Sequence, residues 1–293
     1  MPHRAHIVIL VENRYLTQLQ PSGMRAALEA SQHRVTVLDP QDSVFELSDP
    51  WGLDDVGLVV ARGRSWPVLC LLAAAEARGV ATINRRASIA SVLNKAEMAV
   101  MLTRQGISTP ETYIGTPAGL ARDLGPDRFP LILKPVFGDN CRGLRVVHTT
   151  TELEDVDWPE PVVLAQHYVP GDGWDLKLYG IGDEIWGVRK PSPLGVDGTI
   201  PGVRPTSGEP PAELVRLSPA QRELGRRCGR VFGLELFGVD CIETTDGPIV
   251  IEVNDFPNYT GVPQADQRLA EFVAQRAEVG GPPDYATRVD PIR

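Results

Sequence analysis

The chain has 293 residues, 42% hydrophobic and 23% charged, which is the balance of an ordinary globular protein long enough to bury a sizeable core. Its 38 acidic and 29 basic side chains leave a net charge of -9, which excludes a generally basic nucleic-acid surface, and no apolar run is long enough to cross a membrane. The four cysteines (Cys70, Cys141, Cys228, Cys241) are widely spaced and form no CxxC pair, so they read as free thiols of a reducing cytoplasm, not as a disulfide framework or a zinc site.

In MPHRAHIVILVENR the apolar run ends at Glu12 and Arg14 rather than at a small-residue cleavage site, so the segment reads as a first core strand and not a signal peptide. HIVILV (6–11), RVTVLD (34–39), DVGLVVARG (55–63) and VATIN (80–84) are short β-rich runs. PSGMRAALEASQ and VLCLLAAAEARG lie between them with helical composition. This alternation predicts a parallel α/β unit over residues 1–92.

A second unit is expected over residues 93–170. KAEMAVMLTRQGI is a helix stopped by Gly106. PLILKPV and LRVVHT flank a polar, glycine-bearing loop and are too close for a crossover helix, so they predict an antiparallel hairpin. PVVLAQHYVPG is a further strand. A third unit, residues 171–280, opens with two strands around a Gly182-Asp183 turn. Residues 192–216, rich in proline and glycine, read as a long functional loop. A helix (219–234), a hairpin (LFGVDCIETTDGPIVIEVN) and a last helix follow, and residues 281–293 read as a tail.

The last hairpin carries the most specific signal. IVIEVN is an apolar strand interrupted by Glu252 near its end. A three-residue loop, Thr245-Asp246-Gly247, would set Asp240 directly opposite Glu252 with Asn254 on the same face. Two carboxylates and an amide carbonyl on one face repel unless a cation neutralises them, and a hard cation such as Mg²⁺ suits such oxygens. From spacing alone, Asp240 and Glu252 are equally well two unrelated polar residues near strand ends. A second feature shifts the balance. Lys134 lies among Leu131, Ile132, Leu133 and Val136, followed by Gly138 and Gly143. A buried lysine needs an anionic partner, which a nucleotide phosphate would supply, and loop N–H groups would cradle the outer phosphates.

Together these segments resemble the ATP-grasp enzymes over roughly residues 1–275. The resemblance implies an α/β (α+β) chain, with a parallel N-terminal domain and ATP bound between two antiparallel-sheet lobes. It implies that Lys95 in NKAEM and Lys134 in LILKPVFGDNCRG contact the nucleotide, with Gly138 and Gly143 in the phosphate loop. VLAQHYVPG matches the hinge that reads adenine, here Gln166, His167, Tyr168 and Val169, with His167 in place of the usual acid. Asp175 in GWDLKL matches a ribose-binding position, and Asp240, Glu252 and Asn254 match the ligands of one or two Mg²⁺ ions, with Mn²⁺ as a substitute.

Two branches of the family are similar to parts of the chain. The RimK-type ligases, which activate a carboxylate as an acyl phosphate for attack by an amine, match the N-terminal unit; there Arg62, Arg64, Arg85 and Arg86 are candidates for an acidic substrate. The ATP-grasp inositol polyphosphate kinases are similar in LKLYGIGDEIWGVRKPS and NDFPNYTGVP. In either, Lys177, Arg189 and Lys190 are expected to stabilise the transferred phosphoryl group. The ligase is the favoured reading, with small-molecule or peptide carboxylate and amine substrates, no nucleic acid, no membrane, and a homo-oligomer as in many family members. Asp172, Asp197 and Glu209 are candidates for holding the amine. His33, His148 and His167 share no pattern and read as structural or surface residues.

Overall fold

Apolar runs with no polar alternation predict strands covered on both faces, and the computed structural model, which describes residues 4–48, 52–138, 143–192, 194 and 212–279, covers them with helices. β1 (His6–Val11), α1 (Leu19–Ala30), β2 (Arg34–Leu38), β3 (Val56–Arg62), α2 (Trp66–Ala77) and β4 (Ala81–Ile83) build the first sheet. All its pairs are parallel and its order is β2-β1-β3-β4. Ile7, Ile9, Leu58 and Val60 pack in one core cluster, and Val8, Leu10, Val59 and Ala61 in another.

α3 (Arg86–Leu93) and α4 (Lys95–Arg104) follow. Asn94 separates them: its side-chain oxygen accepts from the Ala96 and Glu97 N–H groups at 3.0 and 3.2 Å, and its amide donates to Glu97 at 2.9 Å. That cap fixes the start of α4 and therefore the position of Lys95.

β5 (Thr112–Gly115), α5 (Pro117–Asp123), β6 (Leu131–Lys134), β7 (Arg145–Val147), α6 (Thr150–Glu154) and β8 (Val163–His167) form a second, antiparallel sheet of order β5-β8-β6-β7. β9 (Trp174–Ile181), β10 (Glu184–Pro191), β11 (Glu213–Val215), α7 (Pro219–Phe232), β12 (Leu236–Thr244) and β13 (Gly247–Asp255) form a third, ordered β11-β10-β9-β12-β13 and also antiparallel. The expected architecture, a parallel unit followed by two antiparallel lobes, is the one that forms.

Several details differ from the sequence reading. α3, α5 and α6 were not expected; each is short, and a few residues carry too little periodicity to be seen. β11 lies inside the segment read as a long loop. Residues 193 and 195–211 of that segment, with Asp197 and Glu209, fall outside the described residues, as do loop positions 139–142, with Cys141, and the tail. α8 (Ala265–Val279), expected in the C-terminal lobe, contacts β9 there and packs on α1 and β3 as well. Leu269 and Val273 join Ile7, Ile9, Met24 and Leu28 in one cluster that also holds Tyr179, Phe256 and Tyr259. The first and third sheets thus share a core.

The last hairpin is corrected in its turn but not in its pairing. Thr244 pairs with Gly247, so the loop has two residues, with Gly247 at a φ of 114°. That register alone would place Glu252 opposite Val239. Instead Cys241 pairs with Val250 and Asp240 with Glu252, leaving Ile251 as an extra residue. The bulge turns Glu252 to the face of Asp240.

Candidate functional site

Three strands carry the centre of the site. Lys177 on β9 pairs with Asp240 on β12, which pairs with Glu252 on β13, so the three stand abreast on one face. Asp175, two residues before Lys177, shares that face. Lys177 Nζ lies 2.9 Å from Asp240 Oδ2 and 3.6 Å from Asp175 Oδ2. Lys95, at the head of α4, donates to Glu252 Oε1 at 2.8 Å and to the Gly138 carbonyl at 2.7 Å. Each carboxylate is therefore neutralised by a lysine of the chain itself.

Lys134, at the end of β6, is 5% exposed, as the apolar strand around it implied. Its ammonium donates to Gln166 Oε1 at 2.5 Å, and Gln166 Nε2 in turn donates to Thr112 Oγ1 at 3.0 Å. Lys95, Lys134, Gln166, His167, Val169, Asp175, Lys177, Asp240 and Glu252 line one cleft between the second and third sheets, with Gly138 at its rim. Ile132, Leu144, Val169, Leu194, Ile242 and Ile251 supply its apolar walls. Of these only Val169 was singled out in the sequence, as part of the hinge; an apolar residue otherwise reads as core whichever way it faces.

The hinge segment is partly committed to the sheet. The His167 N–H donates to the Glu111 carbonyl at 2.9 Å and the Tyr168 N–H to the Pro130 carbonyl at 3.0 Å. Tyr168 is buried, while His167 and Val169 border the cleft.

Arg189 and Lys190 part company, because neighbours on a strand face opposite ways. Lys190 pairs with Asp175, and its ammonium lies 5.6 Å from the centre of the Tyr179 ring. Arg189 pairs with Leu176 and turns to the other face, toward α7. There it bonds Asp172, lies 3.5 Å from Glu243 Oε2 and stacks on Trp174 at 5.6 Å.

Charge in the row is finely balanced. Burial pushes the Glu252 carboxyl up, but Lys95 and Lys134 outweigh it and hold it below its ordinary value. Burial also raises Asp240; Lys177 opposes this, Glu252 reinforces it, and the net shift is upward. Burial would lower Lys177, yet Asp240 and Asp175 raise it.

Asn254 sits two residues beyond Glu252, on the same face. Arg64, from the loop after β3, donates to Asn254 Oδ1 at 3.4 Å and lies 3.2 Å from Asp255 Oδ1. Arg62 is 5% exposed. It donates to Gln18 Oε1 at 2.9 Å and Asn258 Oδ1 at 2.8 Å, with its guanidinium 3.9 Å from the Tyr15 ring centre and 5.5 Å from that of Phe256. It joins the first unit to the strand end that follows the oxygen ligands. Arg85 and Arg86 stand at the start of α3, Arg86 exposed.

The two facing carboxylates that line the cleft, Asp240 and Glu252, suit a hard cation, whereas Asn254 does not line the cleft and its amide oxygen accepts from Arg64. Among the described residues no group of three His, Cys, Asp or Glu gathers as a metal site, so phosphate oxygens would complete the coordination.

Comparison with known proteins places these features in a family. A family model for the RimK-like ATP-grasp domain matches residues 92–271. A probable alpha-L-glutamate ligase of Shewanella loihica is 26% identical over 215 residues, 69% of this chain and 70% of the relative. A RimK domain ATP-grasp protein of Sphaerobacter thermophilus shares the fold with a TM-score of 0.70 at 20% identity, over 92% of this chain and 99% of that one. The ATP-grasp ligase PsnB, solved with a minimal precursor, Mg and ADP, gives 0.70 at 16% identity, over 94% and 98%.

Proposed function

The chain belongs to the RimK-like ATP-grasp family, and on that premise we propose that it is an ADP-forming, ATP-dependent carboxylate–amine ligase. The observation that carries the reading is the convergence of Lys95, Lys134, Lys177, Asp240 and Glu252 on one cleft with apolar walls. Ile132, Leu144, Val169 and Ile242 offer a slot for a flat base. Lys95 and Lys134 meet the phosphates, and Asp175 the ribose. Asp240, Glu252 and Asn254 would hold one or two Mg²⁺ ions, which when bound offset the charge on the phosphates. On this reading Lys95 exchanges its contact with Glu252 for one with phosphate.

The substrate carboxylate attacks the γ-phosphorus and ADP leaves; the amine then attacks the acyl carbon and phosphate leaves, its nitrogen losing a proton to solvent. Lys177, and Lys190 near it, steady the negative charge of the transferred group. Small-molecule or peptide carboxylates and amines are the proposed substrates. The relative from Shewanella loihica is named for glutamate, and PsnB was solved with a precursor. No helix among the described residues is long and apolar enough to cross a membrane. We place the reaction in the cytoplasm, in keeping with the free thiols of Cys228 and Cys241.

Phosphorus NMR of the protein with Mg·ATP and a metabolite extract tests the reading. ADP and free phosphate that appear only with both a carboxylate and an amine support it. ADP with a new phosphomonoester and no free phosphate would replace it with a kinase.

A further inference from the structure

Three polar side chains share one face of the second sheet. Thr112 on β5 pairs directly with Gln166 on β8, Gln166 pairs with Ile132 on β6, and Lys134 stands two residues along from Ile132. Gln166 and Lys134 are buried and line the cleft. Thr112 is half-buried on the edge strand and does not line it. A chain of hydrogen bonds joins them. The Lys134 ammonium donates to Gln166 Oε1 at 2.5 Å, Gln166 Nε2 donates to Thr112 Oγ1 at 3.0 Å, and Thr112 Oγ1 donates to the Pro110 carbonyl at 2.9 Å.

The direction of this chain is fixed from its outer end. The Pro110 carbonyl can only accept, so the single hydroxyl proton of Thr112 goes to it. The Thr112 oxygen is then left with lone pairs, and the Gln166 amide must meet it with its NH₂ end. The carbonyl end therefore faces Lys134. An amide turned by 180° would set Oε1 against those lone pairs and NH₂ against an ammonium, in a buried setting where unmade hydrogen bonds are costly. The carbonyl oxygen is neutral, so it orients the ammonium without cancelling its charge. Lys95 and Lys177, by contrast, lie against the carboxylates of Glu252 and Asp240.

We propose that Thr112 is a positioning residue for nucleotide binding: it sets the Gln166 amide and, through that amide, holds the Lys134 ammonium ready for the phosphates. The inference rests on the nucleotide role proposed for the cleft and deepens it by assigning a part to a residue outside the cleft. It is independent of whether the acceptor of the phosphoryl group is a carboxylate or a hydroxyl.

Thr112→Val keeps the branched shape and removes the hydroxyl. Ligand-observed NMR titrations of the full chain, with Mg·ADP and with adenosine as probes, read binding without turnover. The Kd for Mg·ADP is expected to rise about tenfold in Thr112→Val, while that for adenosine, which has no phosphate for Lys134 to meet, stays within about twofold. Thr112→Ser, which keeps the hydroxyl, should restore the parental Mg·ADP affinity. Gln166→Met removes the same restraint one step closer to Lys134 and should show the same split between the two probes. Melting temperatures check that each variant is folded. Parental Mg·ADP affinity in Thr112→Val overturns the inference. An equal loss for both probes, or a Thr112→Ser protein as weak as Thr112→Val, also overturns it, since Thr112 then only braces the edge strand. A parent protein that binds neither probe removes the nucleotide reading itself, and this inference with it.

Discussion

Lys95 and Glu252 are 157 positions apart in the chain and 2.8 Å apart in the fold. The contact joins the head of α4 to the bulged end of β13, and a second lysine, Lys134, adds to the field that keeps Glu252 ionised. Glu252→Gln retains the shape and removes the charge. We expect kcat for ADP release to fall on the order of 10²-fold or more, as when a charge-stabilising group is lost. The same variant should lose the thermal stabilisation that Mg·ADP gives the parent. A Glu252→Gln protein with parental turnover would remove Glu252 from the cation site.

The opposite facing of Arg189 and Lys177 separates two roles that the sequence had joined. Lys177 pairs across the ladder with Asp240, whereas Arg189 lies behind the sheet with Asp172, Glu243 and Trp174. Lys177→Met is therefore expected to lower kcat on the order of 10²-fold. Arg189→Ala should act mainly on stability, by about 1 kcal/mol, because its partners are partly solvated. Turnover and urea unfolding of the two variants decide the matter. A catalytic loss in Arg189→Ala as large as that in Lys177→Met would mean that the side chain crosses to the cleft during the reaction.

Arg62 was a candidate for binding an acidic substrate, and its surroundings suit a different task. It is buried between Tyr15 and Phe256 and bonds Gln18 and Asn258. Arg62→Ala would leave those partners unmatched, at a cost of about 2–4 kcal/mol in unfolding free energy. Chemical denaturation measures it. A variant of parental stability with a raised substrate KM would restore the substrate-binding role.

Much of this site was legible because its chemistry clashes with its neighbours in sequence. Lys134 and Glu252 are charged residues inside apolar strands, and only a partner across the fold accounts for them. The Lys95–Glu252 contact was not legible, since pairing between α4 and β13 depends on how the sheets are placed. The bulge at Ile251 was hidden for a different reason. A bulge and a longer turn give the same pairing of Asp240 with Glu252, so the functional constraint fixes the outcome and leaves the route open. That α8 also covers α1 and β3 was not legible, because an amphipathic helix states that it has a buried face, not how many elements it covers.

Glu235 ties the start of β12 to α8 and gives the fold a pH dependence of definite sign. Its Oε2 accepts from Arg276 Nε at 2.7 Å, while its Oε1 is buried with no hydrogen-bond partner. Burial raises its pKa above the ordinary 4.5, and Arg276 opposes the shift without overcoming it. The folded protein thus holds this proton more tightly than the unfolded chain does. The resulting stability is fully present below the unfolded pKa and is lost as pH rises through the folded one. Each unit of upward shift corresponds to about 1.4 kcal/mol. Glu235→Gln keeps the side-chain shape and cannot titrate. Urea unfolding of both proteins between about pH 4 and pH 8 should show the parent losing ground to the variant as pH rises. A parent that instead gains on the variant toward neutral pH would mean that the ion pair with Arg276 outweighs burial.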